Sequence, residues 1–155
     1  NIKVSKEYFV FDDFYHEVID EMHSFLKKGQ KLIVNSLVNK QIHSDKKILR
    51  HIFNNLIVNS TKYTEEGKNI YCDAKINENQ LIITVKDEGI GIPEADQKHL
   101  FTRFFRAHNV ENIKGTGLGL NIVKHHVELL GGTISFQSEL GVGTVFIVEL
   151  PLDTI

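Results

Sequence analysis

Four stretches of this chain carry side chains that local structure alone does not require. In the first, His51, Asn55, Asn59 and Lys62 fall at i, i+4, i+8 and i+11, a single polar stripe along a helix. Its other positions, Ile48, Leu49, Ile52, Phe53, Leu56 and Ile57, make most of the circumference apolar, which predicts a largely buried helix. A solvated face is the commoner reason for a polar stripe, but asparagine is a poor helix former, and two of them at i, i+4 sacrifice propensity. Buried amides need partners. An amide oxygen is a hard neutral ligand suited to Mg²⁺, which takes phosphate oxygens and waters as its other ligands.

The second stretch is Asp87-Glu88-Gly89-Ile90-Gly91-Ile92-Pro93. Alternation with Leu81, Ile83 and Val85 turns the Asp87 carboxylate toward the core side of a sheet. A carboxylate there needs a donor, and the exocyclic amine of a ligand would serve. Gly89 and Gly91 let the backbone turn and approach a flat ligand, although such a pattern alone is more often a simple turn. The third, Lys114-Gly115-Thr116-Gly117-Leu118-Gly119-Leu120, runs straight into a helix, whose free N–H groups form a phosphate cradle. It is not a dinucleotide fingerprint, because the third glycine comes one residue early and a long loop precedes it. The lysine-bearing phosphate loop is absent from the whole chain. The fourth, Leu100 to Arg106, sets Phe101, Phe104 and Phe105 beside Arg103 and Arg106. It reads as a lid with apolar anchors whose arginines pair with phosphate or protein, or equally as a small satellite core.

The elements that must position these groups follow from periodicity. A strand at 8–11 leads through Asp12-Asp13, expected as an N-cap, into a helix with Tyr15, Val18, Ile19, Met22, Phe25 and Leu26 on one face. Lys27-Lys28-Gly29 is expected to close it. A strand at 31–36 and a weaker one near 40–42 precede the second helix, from Ser44-Asp45 to about Tyr63. A hairpin of 70–76 and 81–86 turns at Asn77-Glu78-Asn79. Residues 87–116 lack sustained periodicity, as binding loops do. A third helix from about Gly117 to Leu130 stops at Gly131-Gly132, and a hairpin of 133–138 and 144–150 ends the chain. This order predicts an α/β two-layer sandwich, an α+β arrangement with a mixed, largely antiparallel sheet and three main helices on one face.

Taken together, in this order and spacing, the stretches resemble the ATP-binding catalytic domain of sensor histidine kinases. That group also holds gyrase, heat-shock chaperone and mismatch-repair ATPases. The resemblance covers nearly the whole chain: Asn55-Leu-Ile-Val-Asn59-Ser-Thr-Lys62-Tyr63-Thr64, Asp87-x-Gly89-x-Gly91, Phe101-x-x-Phe104-Phe105-Arg106, Gly115-x-Gly117-x-Gly119-Leu120, and Gly141-x-Gly143-Thr144 before Leu150-Pro151. It implies a Bergerat-type ATP-binding fold over 1–155 with an ATP lid at about 93–116. By the same resemblance Asp87 accepts the adenine amino group near Thr144, and Asn59 ligates Mg²⁺. Asn55 and Lys62 face the phosphates, with Tyr63 flanking them. Phe104 and Arg106 belong to the lid, and Gly115, Thr116, Gly117, Leu118, Gly119 and Leu120 wrap the triphosphate. Hydrolytic members carry a glutamate four residues before the metal-binding asparagine; here that residue is Asn55, which cannot act as a general base.

The expectation is therefore a protein histidine kinase half that binds Mg²⁺–ATP and passes the γ-phosphoryl group to a histidine on a separate dimerisation domain. A downstream response regulator is the further partner. His16-Glu17-Val18 only faintly echoes the acceptor motif, and His51, His99, His108, His125 and His126 share no context, so no nucleophile is assigned here. The rival readings are a nucleotide-binding regulatory module without phosphotransfer and a hydrolytic ATPase of the same fold; a nicotinamide-dependent enzyme is remote. The 155 residues bound the reading to one domain, and 41% hydrophobic with 25% charged residues excludes disorder. A net charge of −2 argues against bulk attraction to nucleic acid. No apolar run approaches the ~20 residues of a membrane span. A single cysteine, Cys72, fits a reducing compartment, hence a cytoplasmic domain whose parent is a candidate for inner-membrane anchoring. The start at Asn1 suggests a piece of a longer protein, with its phosphoacceptor domain elsewhere.

Overall fold

Where apolar residues alternate, the chain pairs into long strands, and where their spacing lengthens it winds into the helices that cover them. The computed structural model describes residues 2–36, 38–102 and 119–153. In chain order the first elements are β1 (Glu7–Val10), α1 (Phe11–Met22), a 3₁₀ turn (His23–Phe25), β2 (Lys31–Ser36) and β3 (Gln41–Ser44). There follow α2 (Lys46–Lys62), β4 (Asn69–Asn77), β5 (Gln80–Asp87) and the short α3 (Glu94–Gln97). The described chain closes with α4 (Gly119–Leu129), β6 (Thr133–Glu139) and β7 (Gly143–Pro151).

Five strands form one sheet in the order β2-β4-β5-β7-β6, while β1 and β3 pair separately as an antiparallel ribbon. Only β2–β4 is parallel; β4–β5, β5–β7 and β6–β7 are antiparallel. Glu78 and Asn79 turn β4 into β5 with φ of 49° and 62°, the left-handed pair of a tight hairpin. One face of this sheet is dry: Ile70, Cys72, Ala74, Leu81, Ile83, Val85, Phe146, Val148 and Leu150 are all buried. The helices lie against that face, α2 on β4 and β5, α4 on β6, and α1 on α2, giving the expected two-layer sandwich. An aromatic knot holds the helical layer, with Tyr15 5.2 Å from Phe53 and 5.4 Å from Phe11, ring centre to ring centre. Each such ring, fully buried, contributes about 1.5–3 kcal/mol.

Two features of the first helix differ from expectation. Helix α1 begins at Phe11, with Val10 rather than an aspartate at the cap and no side-chain cap bond. Asp12 and Asp13 instead lie in the first turn, where their charge complements the helix dipole. The helix also ends at Met22, gives one 3₁₀ turn and becomes extended at Leu26, leaving Phe25 exposed. The residues beyond are committed to α2. Lys27 Nζ donates to the carbonyls of Lys62 at 2.9 Å and Thr64 at 3.1 Å, and Gln30 Nε2 donates to Thr64 O at 2.7 Å. Lys27 therefore caps the carbonyl end of α2, not that of its own helix.

Asp45 caps the start of α2, accepting the Ile48 N–H at 3.0 Å, as its sequence position suggested. Helix α4 ends in a Schellman turn: Gly132 N–H donates to Val127 O, Gly131 N–H to Glu128 O, and Gly131 has φ 76°. Of the expected lid, Pro93 to Thr102 is described. It holds α3, the buried Leu100, and Phe101 edge-on to Phe136 at 5.7 Å. The expectations for Phe104, Arg106, Gly115, Thr116, Gly117 and Leu118 fall outside the described residues.

Candidate functional site

The end of α2, the end of β5 and the start of β7 meet at one buried carboxylate. Asp87 closes β5 with its side chain on the helix-facing side, and it is 5% exposed. Its Oδ1 accepts the N–H of Gly89 at 2.9 Å and that of Thr144 at 3.2 Å. Burial pushes its pKa up to about 6, against the pull of those two N–H groups. The Ser60 hydroxyl stands near enough to add to that pull without making a well-formed hydrogen bond.

Around Asp87 the protein leaves polar groups unspent. The hydroxyls of Ser60 and Thr64 are buried and have no hydrogen-bond partner. Such groups cost about 1–3 kcal/mol each unless a ligand or water completes them. Gly89 shows why the loop lacks side chains: a Cβ there would stand 2.3 Å from Tyr63 O, 2.8 Å from Asp87 Oδ1 and 3.1 Å from Thr64 Oγ1. The loop is stitched on both sides. Ile90 N–H donates to Tyr63 O at 3.1 Å, and Gly141 N–H donates to Ile90 O at 2.9 Å.

The structure thus joins Tyr63, Asp87, Gly89, Gly91 and Thr144 into one cradle. Asn55, Asn59 and Lys62 share the flank of α2 that leads to it; the two asparagines are half-buried and Lys62 is exposed. Asn55 Nδ2 donates to the His51 carbonyl at 2.9 Å. Gly119 and Leu120, both half-buried, open α4, which packs on α2. A cavity of about 410 Å³ opens beside the same carboxylate, with Asp87, Glu88, Ser138, Gly143 and Thr144 in its lining and no residue of α2.

Four residues at or near the site had no role assigned from sequence. Ser60 and Thr64 lie inside the asparagine stretch itself, and only their burial distinguishes them. Ser138 shares the helix-facing alternation of Ile134 and Phe136 in β6, and a hydroxyl at a core-facing register is the signal it offered. His126 falls on the apolar face of α4 with Val123 and Val127, and its ring stacks on His51 at 5.2 Å and 9°. The two histidines therefore do share a context, contrary to the sequence reading, because α4 packs against α2. Among the described residues no group of three or more His, Cys, Asp or Glu could hold a metal ion. Asn59 offers one amide oxygen on the flank of α2, a hard neutral donor.

Residues 44–154 match the family model described as histidine kinase-, DNA gyrase B-, and HSP90-like ATPase. An uncharacterised sensor-like histidine kinase of Rhizobium meliloti is 38% identical over 136 residues, covering 84% of this chain and 26% of that protein. The chain thus spans about a quarter of the length of this relative. The full-length structure of ShkA in complex with AMPPNP superposes with a TM-score of 0.84 at 26% identity, covering 99% of this chain and 32% of that one. The mycobacterial sensor histidine kinase MprB shares the fold at a TM-score of 0.83 and 23% identity, over 96% of this chain and all of that one.

Proposed function

Because this chain belongs to the histidine kinase-, DNA gyrase B- and HSP90-like ATPase family, we propose that it is the ATP-binding catalytic half of a sensor histidine kinase. The observation that carries this reading is the buried Asp87 beneath a side-chain-free loop, flanked by the uncommitted hydroxyls of Ser60 and Thr64. An adenine fits that inventory: its amino group donates to the carboxylate, its ring nitrogens use hydroxyl or water donors, and its flat face lies against glycine backbone.

Within this reading each residue has a physical task. Asp87, held by the Gly89 and Thr144 N–H groups, orients the base. Asn55, Asn59 and Lys62 face the phosphates along α2, and Tyr63 flanks them. Gly115, Gly117 and Gly119 let the chain entering α4 approach the triphosphate, with Thr116, Leu118, Leu120, Phe104 and Arg106 closing over it. Mg²⁺ held by Asn59 would supply charge neutralisation on the phosphate oxygens. The acceptor is a histidine nitrogen of a separate dimerisation domain. It forms a bond to the γ-phosphorus as the bond to the β–γ bridging oxygen breaks and ADP leaves. Asn55 stands where a hydrolytic relative would place a general base, and an amide cannot take water's proton. The phosphoryl group therefore waits for the protein nucleophile and passes afterwards to a response regulator. Among the described residues no helix is long and apolar enough to cross a membrane. We assign this domain to the cytoplasmic side of its parent, with no nucleic acid among its partners.

The test mixes this chain with the helical hairpin of its own parent protein and ATP labelled at the γ-phosphate. Acid-labile, base-stable label on a hairpin histidine is the expected result. ATP binding with no label on the hairpin would replace the kinase by a regulatory module, and rapid release of phosphate by this chain alone would replace it by a hydrolase.

A further inference from the structure

Ser138, Thr144 and Asp87 stand in one row across three strands, because Ser138 pairs with Thr144 and Thr144 pairs with Asp87. The Ser138 hydroxyl is the hub of that row. It accepts the Ile92 N–H at 2.8 Å, lies 2.8 Å from Thr144 Oγ1, and donates to Gly143 O at 3.2 Å. Gln97 reinforces the same junction, its Nε2 donating to Ile92 O at 3.1 Å and to Ser138 O at 3.2 Å. The loop that roofs Asp87 and the strand that flanks it are thus referenced to a single oxygen.

Counting protons shows what this oxygen controls. A serine hydroxyl has one proton and two acceptor sites, and Ile92 N–H fills one site. Gly143 O can only accept. When Ser138 gives its proton to Gly143, Thr144 must donate to the remaining site on Ser138 and then shows only lone pairs to the cradle. When Ser138 gives its proton to Thr144, the Thr144 proton is released toward the cradle. Thr144 beside Asp87 is therefore presented as acceptor or donor according to the serine, and its oxygen is held in place in both states.

We propose that Ser138 is a positioning residue for purine recognition, setting the place and the hydrogen-bonding sense of Thr144 next to Asp87. This rests on the nucleotide reading of the cradle given above. The serine touches no base itself; it acts through Thr144 and through Ile92.

The test uses the 155-residue chain and titrates ATP and GTP, each with Mg²⁺, by calorimetry. Ser138→Ala is expected to weaken ATP binding by about tenfold and to narrow the preference for ATP over GTP. Ser138→Thr, which keeps the hydroxyl, restores most of both. Ser138→Cys keeps the volume with a feeble hydrogen bond and falls between them, which preserves the test should the alanine variant not fold. ATP affinity in Ser138→Ala within twofold of the parent overturns the proposal. So does an equal loss for ATP and GTP that Ser138→Thr fails to repair, since a merely structural serine predicts that pattern. Asp87→Asn separates the two readings: if it abolishes ATP binding while Ser138→Ala leaves it intact, only the role of Ser138 is lost. A parent chain that binds no ATP at all removes the cradle reading and this proposal with it.

Discussion

Thr144 donates its backbone N–H to Asp87 Oδ1 at 3.2 Å, from the position directly opposite on the neighbouring strand. Even with this bond and that of Gly89, burial lifts the carboxyl from 3.8 to about 6. The folded chain then holds this proton more tightly than the unfolded one. Its stabilising contribution is complete below pH 3.8 and is lost as pH rises through 6, on the order of 3 kcal/mol in all. Ionised Asp87 is thus a cost that the ligand-free protein carries at neutral pH. Asp87→Asn, whose amide oxygen can accept the same two N–H groups, should melt above the parent at pH 7.5, and the gap should close toward pH 4. Melting curves across that range check it; a gap independent of pH would contradict it.

The same carboxyl predicts the pH dependence of nucleotide binding. An ionised carboxylate accepts from the amino group more strongly than a protonated one, so ATP affinity should be flat above pH 7 and fall as the pH drops through about 6. Phosphate protonation acts near the same pH, and adenosine, which has no phosphate, isolates the carboxylate. Titration of adenosine between pH 5 and 8 is the measurement. A flat profile would remove the ionised carboxylate from base recognition.

The parts of this site that follow from periodicity were legible in the residues alone. Alternation along 81–87 turned Asp87 inward, and the i, i+4 asparagines marked the flank of α2. What escaped depends on neighbours distant in sequence. Lys27 reads as a cap for its own helix, yet the carbonyls it reaches are 35 and 37 residues away. Ser138 looks like any strand serine until Ile92, 46 residues earlier, donates to it. His51 and His126 lie on different helices, and no one-helix pattern can bring them together. Packing, not local preference, makes these pairs.

Gly91 allows a direct measure of how tightly the loop over Asp87 is stitched to the β6–β7 hairpin. Its φ is 74°, and an added Cβ would stand 2.2 Å from Glu139 O, a backbone atom that cannot swing away. Gly67 has a similar φ of 79° with nothing within 4 Å. Gly67→Ala should therefore cost only the backbone term, about 1 kcal/mol, whereas Gly91→Ala should cost several kcal/mol and abolish nucleotide binding. Denaturant midpoints of the two variants give the comparison. Equal losses would mean that the contact with Glu139 is easily relieved.

Cys72 supplies an internal reporter of unfolding. The thiol is fully buried, and burial pushes its pKa up to about 12, so the native protein offers essentially no thiolate. Labelling by an alkylating reagent at pH 8 should proceed only through opening of the sheet. The Tyr15 hydroxyl donates to the Cys72 carbonyl at 2.8 Å from α1, so Tyr15→Phe should accelerate labelling by about tenfold. Unchanged labelling would show that β4 opens without releasing α1.

The stacked pair His51 and His126 predicts acid sensitivity of the opposite sign to that of Asp87. His126 is buried, and its Nδ1 has no partner. Burial, then the neighbouring His51, then His125 hold its pKa below the usual 6.5. The unfolded chain thus takes up the proton first as pH falls. The stability that neutral His126 represents is present above pH 6.5 and is lost as the pH drops through its lower folded value. His126→Phe keeps a ring against His51 and removes the titration, so its melting temperature should gain on the parent progressively between pH 7.5 and 5.5. Because Asp87 gains stability over part of that range, the comparison is made in an Asp87→Asn background, where only the histidine slope remains. The pair bridges α2, whose Asn55 amide donates to the His51 carbonyl, and α4, which begins at Gly119. Protonation there would loosen the contact between the helix bearing the asparagines and the helix that follows the third glycine stretch. A pH-independent gap between the two proteins would show that His126 binds its proton equally in the folded and unfolded chains, and that the stack is only packing.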